Sequence, residues 1–499
     1  MSKGTIWGVI AWLPMILIFI THLTIYLSAP VEARGITVPI DYPDIQTALD
    51  NALDGDVITV LKGVYRGFEV RRSVTIIGES NQTVVVVGSV VVWANDVKLS
   101  SMKVVLENPS SGIASAVKIL GSNALLTDLV IESDASGIQI GDIDHGYASA
   151  SIEYTAVVAG RGVDLHPSPA GVWGVCSSLY IFYSNITLLN GAHSVVGCGY
   201  TQLMYSRVSS GSSGVRIGRG EIRGSVISAS GTGVVIAGGN VVVESSTVSS
   251  SDIGVDVFQS NGNLINGNTI DGLNAGIRVV GSSNVISRNT VSSSGSAVEL
   301  RGSDNVIVNN TLSGSRGVNG LNAYGNTIAF NFINRTGHIG VYMSESTGNN
   351  VIYGNTFWLC YNYNAADESG GNQWYFENES LRMGNYWSGH TSPDNNGDGI
   401  VDVPYAIATT TGLQILDKYP LVNPVVRPPW ETTTTPWGTT TTSPTSTPST
   451  PYTSSPTETQ PPPQSITESP PTPLYFIALT TIPIAILVVA ILLILRKRR

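Results

Sequence analysis

Charged residues are scarce in this 499-residue chain, at 12% of the total, about half the usual globular share. The formal net charge is −10 and no Lys/Arg stripe is present, which excludes a basic nucleic-acid-binding protein. Three cysteines are too few for a disulfide-dense scaffold. Long apolar runs occur only at the two ends, which excludes a polytopic membrane protein. The 53 glycines, with abundant Ser, Thr, Val and Asn, instead indicate a large β-rich domain.

The two ends predict export and membrane anchoring. Residues 6–27 are mostly apolar and a small-residue cleavage motif ends at Ala33, so residues 1–33 are interpreted as a signal peptide. The apolar stretch is long for a signal peptide, and an uncleaved N-terminal anchor is the alternative. Residues 474–495 form an uncharged apolar run, and the basic residues 496–499 follow it. This arrangement predicts a single transmembrane helix, an extracellular ectodomain and a cytoplasmic C-terminus at the cell membrane.

Residues 425–473 consist mainly of Thr, Ser and Pro, as in "ETTTTPWGTTTTSPTSTPSTPYTSSPTETQPPPQ". Such a composition cannot bury enough apolar surface to fold, and proline stiffens the chain. Ser/Thr-rich segments with Pro are typical of O-glycosylated stalks. The sequence therefore predicts a disordered stalk that holds the folded part away from the membrane.

An internal repeat is the strongest pattern in the sequence. Its template has Asn at the first and sixth positions and an aliphatic or Phe residue at the third and eighth. The starts are separated by 21, 21, 21 and 24 residues, in NLINGNTI (Asn263), NVISRNTV (Asn284), NVIVNNTL (Asn305), NTIAFNFI (Asn326) and NVIYGNTF (Asn350). Upstream, the sixth position becomes Ser, at Ser184, Ser206, Ser225 and Ser246.

A second motif follows half a repeat later, as in "SGVRI", "IGVDV" and "AGIRV", and alternates apolar with polar residues. Short alternating strands every 21 residues or so predict an all-β chain folded as a parallel β-helix over residues 34–360. Equivalent asparagines on successive turns would then form hydrogen-bonded ladders, and serine ladders would be weaker. In the second motif, Asp256, Arg278 and Glu299 fall one turn apart, which predicts a structural charge ladder.

Both ends of such a solenoid need covering. At the N-terminus, Asp44 is a predicted N-cap, Ile45, Ala48 and Leu49 form an apolar helical face, and Gly55 ends the segment. At the C-terminus, residues 361–424 are interpreted as a cap. Its predicted aromatic cluster comprises Trp358, Tyr361, Trp374, Tyr375, Phe376, Tyr386 and Trp387. A sugar-stacking platform is the alternative interpretation of these aromatic residues.

Several of these segments resemble a known family. "ITVPIDYPDIQTALDNALDGDVITVLKGVYRGFEVRRSVTIIGE" resembles the opening of pectin-lyase-like proteins. The Asn-x-Ile-x-x-Asn-x-Ile turns, "GNYWSGHTSPDNNGDGIVDVPYAI" and "DKYPL" are similar to the NosD-like, carbohydrate-binding-and-sugar-hydrolase β-helix family, over residues 35–424. The resemblance implies a right-handed parallel β-helix. The family includes copper-site maturation proteins, polysaccharide-active enzymes and anchored archaeal surface proteins, and the stalk and terminal anchor are similar to the last group.

The segment "DNNGDGIVD" is similar to the start of an EF-hand calcium loop. It predicts a structural Ca²⁺ site, and Tyr405 stands where such a loop has its bidentate Glu. A plain turn rich in Asp and Asn is the alternative. The predicted ligands are Asp394, Asn396, Asp398, the Ile400 carbonyl and Asp402.

Polysaccharide cleavage would need paired carboxylates, or a calcium-bound acidic cluster beside a basic residue. The best candidate patch contains Asp142, Asp144 and His145, with Asp164 and His166 one turn later. Solvated turn residues are the simpler interpretation of the same patch. Copper binding would need soft ligands, and the 6 His, 6 Met and 3 Cys are scattered through the chain.

Cys176 and Cys198 occupy equivalent positions on adjacent turns, so the spacing predicts a disulfide in an exported protein and leaves Cys360 free. Glycosylation sequons occur at Asn81, Asn185, Asn309, Asn334 and Asn378.

Three functions remain open. The first is a non-enzymatic, membrane-anchored surface protein that binds a polysaccharide or an envelope protein, without nucleic acid as a partner. The second is a polysaccharide lyase or glycoside hydrolase, and the third is a copper-site maturation factor.

Overall fold

Short alternating segments separated by bend residues build the fold. A computed structural model describes residues 33–109, 115–160, 170–174, 176–197 and 199–425. The described chain winds into a parallel β-solenoid with three faces, and each strand pairs in parallel with the equivalent strand of the next turn. The predicted all-β parallel solenoid is therefore confirmed.

Faces A and B belong to one 28-stranded sheet because two long strands, Lys98–Leu106 and Ala124–Ser133, run through both faces. The other strands of face A are Gly35–Val38, Val57–Val60, Thr75–Gly78, Ala148–Glu153, Cys176–Phe182, Tyr200–Met204, Gly220–Arg223, Val241–Glu244, Leu264–Asn266, Val285–Ser287, Val306–Val308, Thr327–Ala329 and Val351–Tyr353. The other strands of face B are Gly63–Arg66, Val84–Val87, Ala156–Ala159, Asn185–Leu188, Arg207–Ser210, Val226–Ala229, Thr247–Ser250, Thr269–Gly272, Thr290–Ser293, Thr311–Ser313, Phe332–Asn334, Thr356–Trp358 and Tyr386–Trp387.

Face C is a separate 14-stranded sheet. Its strands are Glu69–Val70, Val90–Val92, Ser115–Ile119, Ser136–Ile140, Val172–Gly174, His193–Val196, Ser213–Ile217, Val234–Ile236, Ile253–Phe258, Ala275–Val280, Ser296–Ser303, Arg316–Tyr324, Ile339–Met343 and Tyr363–Asp367. Two short antiparallel pairs follow, Phe376–Glu377 with Arg382–Met383 and Tyr405–Ala406 with Leu416–Asp417. Parallel pairing thus continues beyond residue 360, as far as Trp387.

The core is a column of aliphatic side chains at the third and eighth positions of the repeat. Ile265, Ile286 and Ile307 stand in register on adjacent turns of face A and are fully buried. Ile270 and Val291 are likewise in register and buried on face B. The alternation of buried and outward residues along each short strand thus fills the bore, as the period-2 pattern predicts.

Two asparagine ladders run along the inside of the bends. In each, the backbone N–H and the side-chain Nδ2 of one asparagine donate to Oδ1 of the asparagine one turn later, at 2.7–3.3 Å. The first ladder is Asn263, Asn284, Asn305, Asn326, Asn350 and Asn372, and the second is Asn268, Asn289, Asn310, Asn331, Asn355 and Asn385. The predicted alignment of the asparagines is confirmed.

Both ladders end on a buried carboxylate. Nδ2 of Asn372 donates to both oxygens of Asp367, each at 3.1 Å. The backbone N–H of Asn385 donates to Oδ2 of Asp417 at 2.7 Å. Each carboxylate also accepts an indole N–H from a buried tryptophan, Trp374 or Trp387. Each ladder asparagine before the last donates its N–H groups to the next turn, so the last asparagine of each ladder needs an acceptor, and the carboxylate oxygens of Asp367 and Asp417 supply it.

The left-handed backbone conformation lies one residue before the ladder asparagines from Asn263 to Asn355, and not at the asparagines themselves. Ser283 and Asp304 precede the first ladder with φ of 58° and 55°. Arg288 and Asn309 precede the second with φ of 56° and 57°. The ladder asparagine is therefore free to point inward while the preceding residue turns the corner.

The helix predicted after Asp44 is present as α1, Ile45–Asn51. The side chain of Asp44 accepts a hydrogen bond from Thr47 N at 2.7 Å, as an N-cap does. Ile45, Ala48 and Leu49 are buried in the core. The apolar face that the sequence predicts therefore packs into the first turn of the solenoid.

The aromatic residues near the C-terminal end are unequally buried. Trp374 and Trp387 are buried, and Trp387 stacks between Phe357 and Tyr405 with ring centroids 4.3 and 4.1 Å away. Tyr361, in contrast, is 77% exposed. In the described part of the chain no helix is long and apolar enough to cross a membrane. The predicted signal peptide, stalk and transmembrane helix lie outside the described residues, apart from Ala33 and Val425 at their edges.

Candidate functional site

A groove of about 760 Å³ lies on the outer side of face C in the first turns. Glu69, Val91, Lys118 and Gln139 stand in register on four consecutive turns and form its floor. At the N-terminal end, Gln46 of α1 accepts from the backbone N–H of Glu69 at 2.8 Å. The remaining lining residues are Gly67, Phe68, Ser89, Trp93, Ser115 and Leu120.

Trp93 contacts Glu69, which lines the groove, and Arg71 and His145 beside it. Its indole N–H donates to Oε2 of Glu69 at 3.2 Å, and the guanidinium carbon of Arg71 lies 5.0 Å from its ring centroid. The ring of His145 meets it edge-on, with centroids 5.1 Å apart. Arg71 and Glu69 also form an ion pair at 2.6 Å. These contacts fix the orientation of the indole, which remains partly exposed to the groove.

Asp142 forms an ionic cluster with Lys118, one of the residues that line the groove. It pairs with Lys118 at 2.7 Å and with Nδ1 of His145 at 2.7 Å. Burial opposes the charge of Asp142, but the hydrogen bonds from Lys118 and His145 outweigh it and lower the pKa to about 2. Asp142 is therefore a permanent carboxylate near neutral pH, which is unsuitable for a general acid.

The other predicted catalytic residues do not complete a site in the described part of the chain. Asp144 is exposed to solvent. Asp164 and His166 lie in residues 161–169, outside the described residues. The structure thus brings together Asp142 and His145 and adds Lys118, and the five-residue constellation stays a prediction.

The predicted calcium ligands use their oxygens within their own loop. Asp394 accepts from the backbone N–H groups of Gly397 and Gly399, at 2.8 and 2.9 Å. Asp398 accepts from Ile400 N at 2.9 Å, and Asp402 accepts from Asn395 N at 3.0 Å. Across residues 33–425, apart from the undescribed gaps, no three His, Cys, Asp or Glu side chains are placed to hold a metal ion. The calcium site, with Asn396 among its ligands, stays a prediction that calorimetric titration with Ca²⁺ can check.

Cys176 is disulfide-bonded and Cys360 is a free thiol. The predicted partner of Cys176, Cys198, lies outside the described residues, so the pairing stays a prediction. Burial raises the pKa of the Cys360 thiol.

The predicted charge ladder is present in part. Arg278 makes two hydrogen bonds to Asp256, at 2.9 and 2.6 Å. Glu299 is in register with Arg278 but pairs with Arg301 on its own strand, at 2.9 Å. The role is structural, as the sequence indicates.

Sequence analysis overlooked Trp93, Glu69, Arg71 and Lys118. A signal was available, because Trp93 directly follows the alternating strand Val90–Val92 at a position where the alternation predicts an outward side chain. The turns differ in length in this part of the chain, so the register that aligns Glu69, Val91 and Lys118 could not be derived from spacing alone.

Residues 195–392 match the family model described as "Periplasmic copper-binding protein (NosD)". The match covers less than half of the chain and confirms the predicted resemblance to NosD-like proteins over those turns. Comparison with curated proteins finds no match.

Solved structures similar to this chain include three proteins. The Dettilon tailspike protein is 16% identical, with 68% of this chain and 70% of that chain covered and a TM-score of 0.45. The mannuronan C-5 epimerase AlgE6 A-module of Azotobacter vinelandii is 17% identical, with 66% and 93% covered and a TM-score of 0.40. The PL6 family alginate lyase AlyGC is 13% identical, with 70% and 54% covered and a TM-score of 0.39. The alignment thus spans about half the length of the lyase.

Proposed function

We propose that this chain is an exported, membrane-anchored surface protein whose solenoid binds saccharide chains in the groove around Trp93. The single observation that carries the proposal is the fixed, partly exposed indole among hydrogen-bonding side chains. An aromatic face beside polar groups suits a sugar, which presents C–H groups on one side and hydroxyls on its edges. The stalk and the C-terminal span predicted from the sequence support attachment to the cell surface.

The charges of the groove favour binding over cleavage. Lys118 is paired with Asp142, and Arg71 with Glu69, so both cations are already neutralised by a neighbour. The low pKa of Asp142 argues against its action as a general acid. A groove of paired charges offers a sugar many donors and acceptors without selecting a strongly charged ligand. We therefore favour a binding role without catalysis.

A glycan array probed with the purified ectodomain, followed by calorimetry with the best-bound saccharide, tests this function. Trp93→Ala should weaken binding at least about 5-fold, because a lost aromatic contact of this kind costs about 1 kcal/mol or more. Tyr361→Ala is the matched control, since it removes an exposed aromatic ring elsewhere. The Tyr361→Ala variant should bind the saccharide with the same affinity as the unsubstituted protein.

Three other outcomes would replace the proposal. New unsaturated or reducing ends in the bound saccharide, abolished by Asp142→Asn, would establish a lyase or hydrolase. Stoichiometric retention of copper after gel filtration would establish a maturation factor. Binding to envelope proteins with no saccharide bound would show that the partner is a protein.

A further inference from the structure

Three tyrosines form an exposed row at the bend between faces A and B. Tyr154, Tyr183 and Tyr205 lie on consecutive turns, and their rings stack with centroids 5.3 Å apart and planes within 12° of parallel. They are 62%, 53% and 58% exposed, respectively. The row therefore presents ring edges and hydroxyl groups to solvent at the repeat distance of the solenoid.

The backbone beneath this row is unusual for aromatic residues. The three tyrosines have φ of 48°, 49° and 50°, the left-handed region that bulky side chains rarely adopt. The next turns place Gly224 and Ser245 at the same bend. Small residues therefore occupy this bend in those turns, whereas the three tyrosines adopt a backbone conformation that large side chains disfavour. Arg288, Asn309 and Phe330 hold the same conformation further along this bend, so the stacking of three exposed rings, and not the backbone conformation, distinguishes the row.

Asn185 is the outward residue next to the centre of the row. It opens the strand Asn185–Leu188, in which Ile186 points into the core, so Asn185 and Thr187 lie on the outer side. Ser184, between Tyr183 and Asn185, is buried in the serine ladder. Asn185, Ile186 and Thr187 form an N-glycosylation sequon. The side-chain amide of Asn185 makes no hydrogen bond within the described part of the chain.

Three of the other four sequons are less accessible for N-glycosylation than Asn185. The amide of Asn81 donates to Asp128 at 2.8 Å. Asn334 is only 8% exposed, so a glycan there would not fit the folded chain. The side-chain oxygen of Asn378 accepts from two backbone N–H groups of its own turn. Asn309 is exposed, and the bend residues on the adjacent turns are Arg288 and Phe330 rather than stacked tyrosines. Asn309 is therefore the natural control site.

We propose that Asn185 carries an N-linked glycan whose first sugars pack against Tyr183 and Tyr205. The proposal rests on the exported location put forward above. In the reaction, Nδ2 of Asn185 attacks the anomeric carbon of a lipid-phosphate-linked oligosaccharide and a membrane glycosyltransferase catalyses the transfer. The N–C bond forms, the bond from the anomeric carbon to the phosphate oxygen breaks, the amide loses one proton, and the lipid phosphate leaves.

The size of the row favours a glycan over a second copy of this chain. Three half-exposed rings offer a few hundred Å² of surface, and a standard protein interface needs about 800 Å² on each partner. A sugar attached beside the row needs no such area, because the covalent bond supplies its local concentration. Its C–H groups can contact the exposed ring edges while its hydroxyls bond to the tyrosine hydroxyls.

Peptide mapping by mass spectrometry of the full chain from its native membranes tests the modification. We expect a glycan on the peptide that contains Asn185, and none on the peptide that contains Asn334. An unmodified Asn185 overturns the inference. If Asn309 is glycosylated while Asn185 is not, the proposed export is supported and only the inference about Asn185 fails. If the chain fractionates with the cytosol, the proposed location at the cell surface fails as well.

Tyrosine nitration of the native glycoprotein tests the packing. Asn185→Gln should raise the nitration rates of Tyr183 and Tyr205 several-fold, and Thr187→Val, which removes the sequon but keeps Asn185, should do the same. Tyr361 should react equally in all forms, and so should every tyrosine after Asn309→Gln. Equal rates at Tyr183 with and without the glycan would overturn the inference. Protection that persists in Asn185→Gln and grows with protein concentration would also overturn it, in favour of self-association.

Discussion

The C-terminal turns from Asn263 to Asn385 and the central turns from Thr155 to Ser246 use one fold with different ladders. In the C-terminal turns, Nδ2 of Asn310 donates to Ile286 O of the previous turn at 2.9 Å and to Asn331 Oδ1 of the next turn at 3.0 Å. One amide thus links three turns. A serine cannot do this, because its hydroxyl has a single hydrogen.

In the central turns the shortest bond of each serine hydroxyl is local, although Ser184 and Ser225 also reach a carbonyl of the previous turn, at 3.4 and 3.3 Å. Oγ of Ser206 donates to Met204 O, two residues earlier, at 2.8 Å. Its oxygen accepts the backbone N–H of Ser184, which is the one ladder bond between these two turns. Turn length also varies here, at 29, 22, 19 and 21 residues from Thr155 to Ser246.

The two regions therefore differ in regularity. The asparagine ladders favour identical turns, since each amide must meet an equivalent amide one turn away. The central turns carry fewer ladder bonds, vary in length and present exposed rings such as Tyr183. The tyrosine row lies in these central turns, and the groove around Trp93 lies in the turns that precede them. Several experiments can sharpen or break this comparison.

Asn310→Ala should have the largest effect on stability. The substitution removes the acceptor of both donors of Asn289 and the donor to Asn331, and all these groups are buried. We expect a loss of about 3–5 kcal/mol in the free energy of unfolding, because several buried polar groups lose their partners. Chemical denaturation measures it. Asn309→Gly, at the exposed neighbour, is the control; an equal loss in both variants would refute the ladder's role.

The second-largest effect should be a pH dependence of the free energy of unfolding, caused by Asp417 at the end of the second ladder. Burial raises the pKa of Asp417 to about 6, although hydrogen bonds from Asn385 and Trp387 favour its charged form. The folded chain holds the proton of Asp417 more tightly than the unfolded chain. The stabilising contribution of protonated Asp417 to the free energy of unfolding is therefore fully present below about pH 4 and is lost as the pH rises through 6. The change amounts to about 3 kcal/mol. Denaturation at several pH values should show this slope, and Asp417→Asn should flatten it between pH 4 and 6. An unchanged slope in the variant would contradict the assignment.

Ser225→Ala should have the smallest effect of the three. It removes the acceptor of Ser206 N at 3.2 Å and a local bond to Arg223 O. We expect a loss of about 1–2 kcal/mol in the free energy of unfolding, since one buried N–H loses its partner. The same denaturation assay applies. A loss as large as that of Asn310→Ala would remove the distinction between the two ladders.

The sequence predicts the solenoid because its repeat places identical residues on successive turns. Asn263 and Asn284 can be aligned by eye, and the ladder follows from the chemistry of the amide. The ladder ends could not be predicted in this way. Asp367 and Asp417 lie outside the repeat, and only the folded chain brings them to Asn372 and Asn385.

The candidate site was harder to predict for a related reason. Trp93, Lys118 and Asp142 stand on turns of unequal length, so their spacing in the sequence does not reveal that they face one groove. Asp142 and His145 were identified because they are close in the chain. The tyrosine row has a visible pattern, since Tyr154, Tyr183 and Tyr205 each precede a ladder Thr or Ser, and the pattern becomes meaningful once the bend is known.

Hydrogen–deuterium exchange of backbone amides, followed by mass spectrometry, tests the central claim most directly. It reports on both regions in one sample under native conditions. The account predicts that peptides from residues 263–355 remain protected longest and that peptides from residues 176–250 exchange earlier. Equal protection of the two regions, or earlier exchange in residues 263–355, would contradict the claim that the asparagine ladders make the C-terminal turns the more stable half.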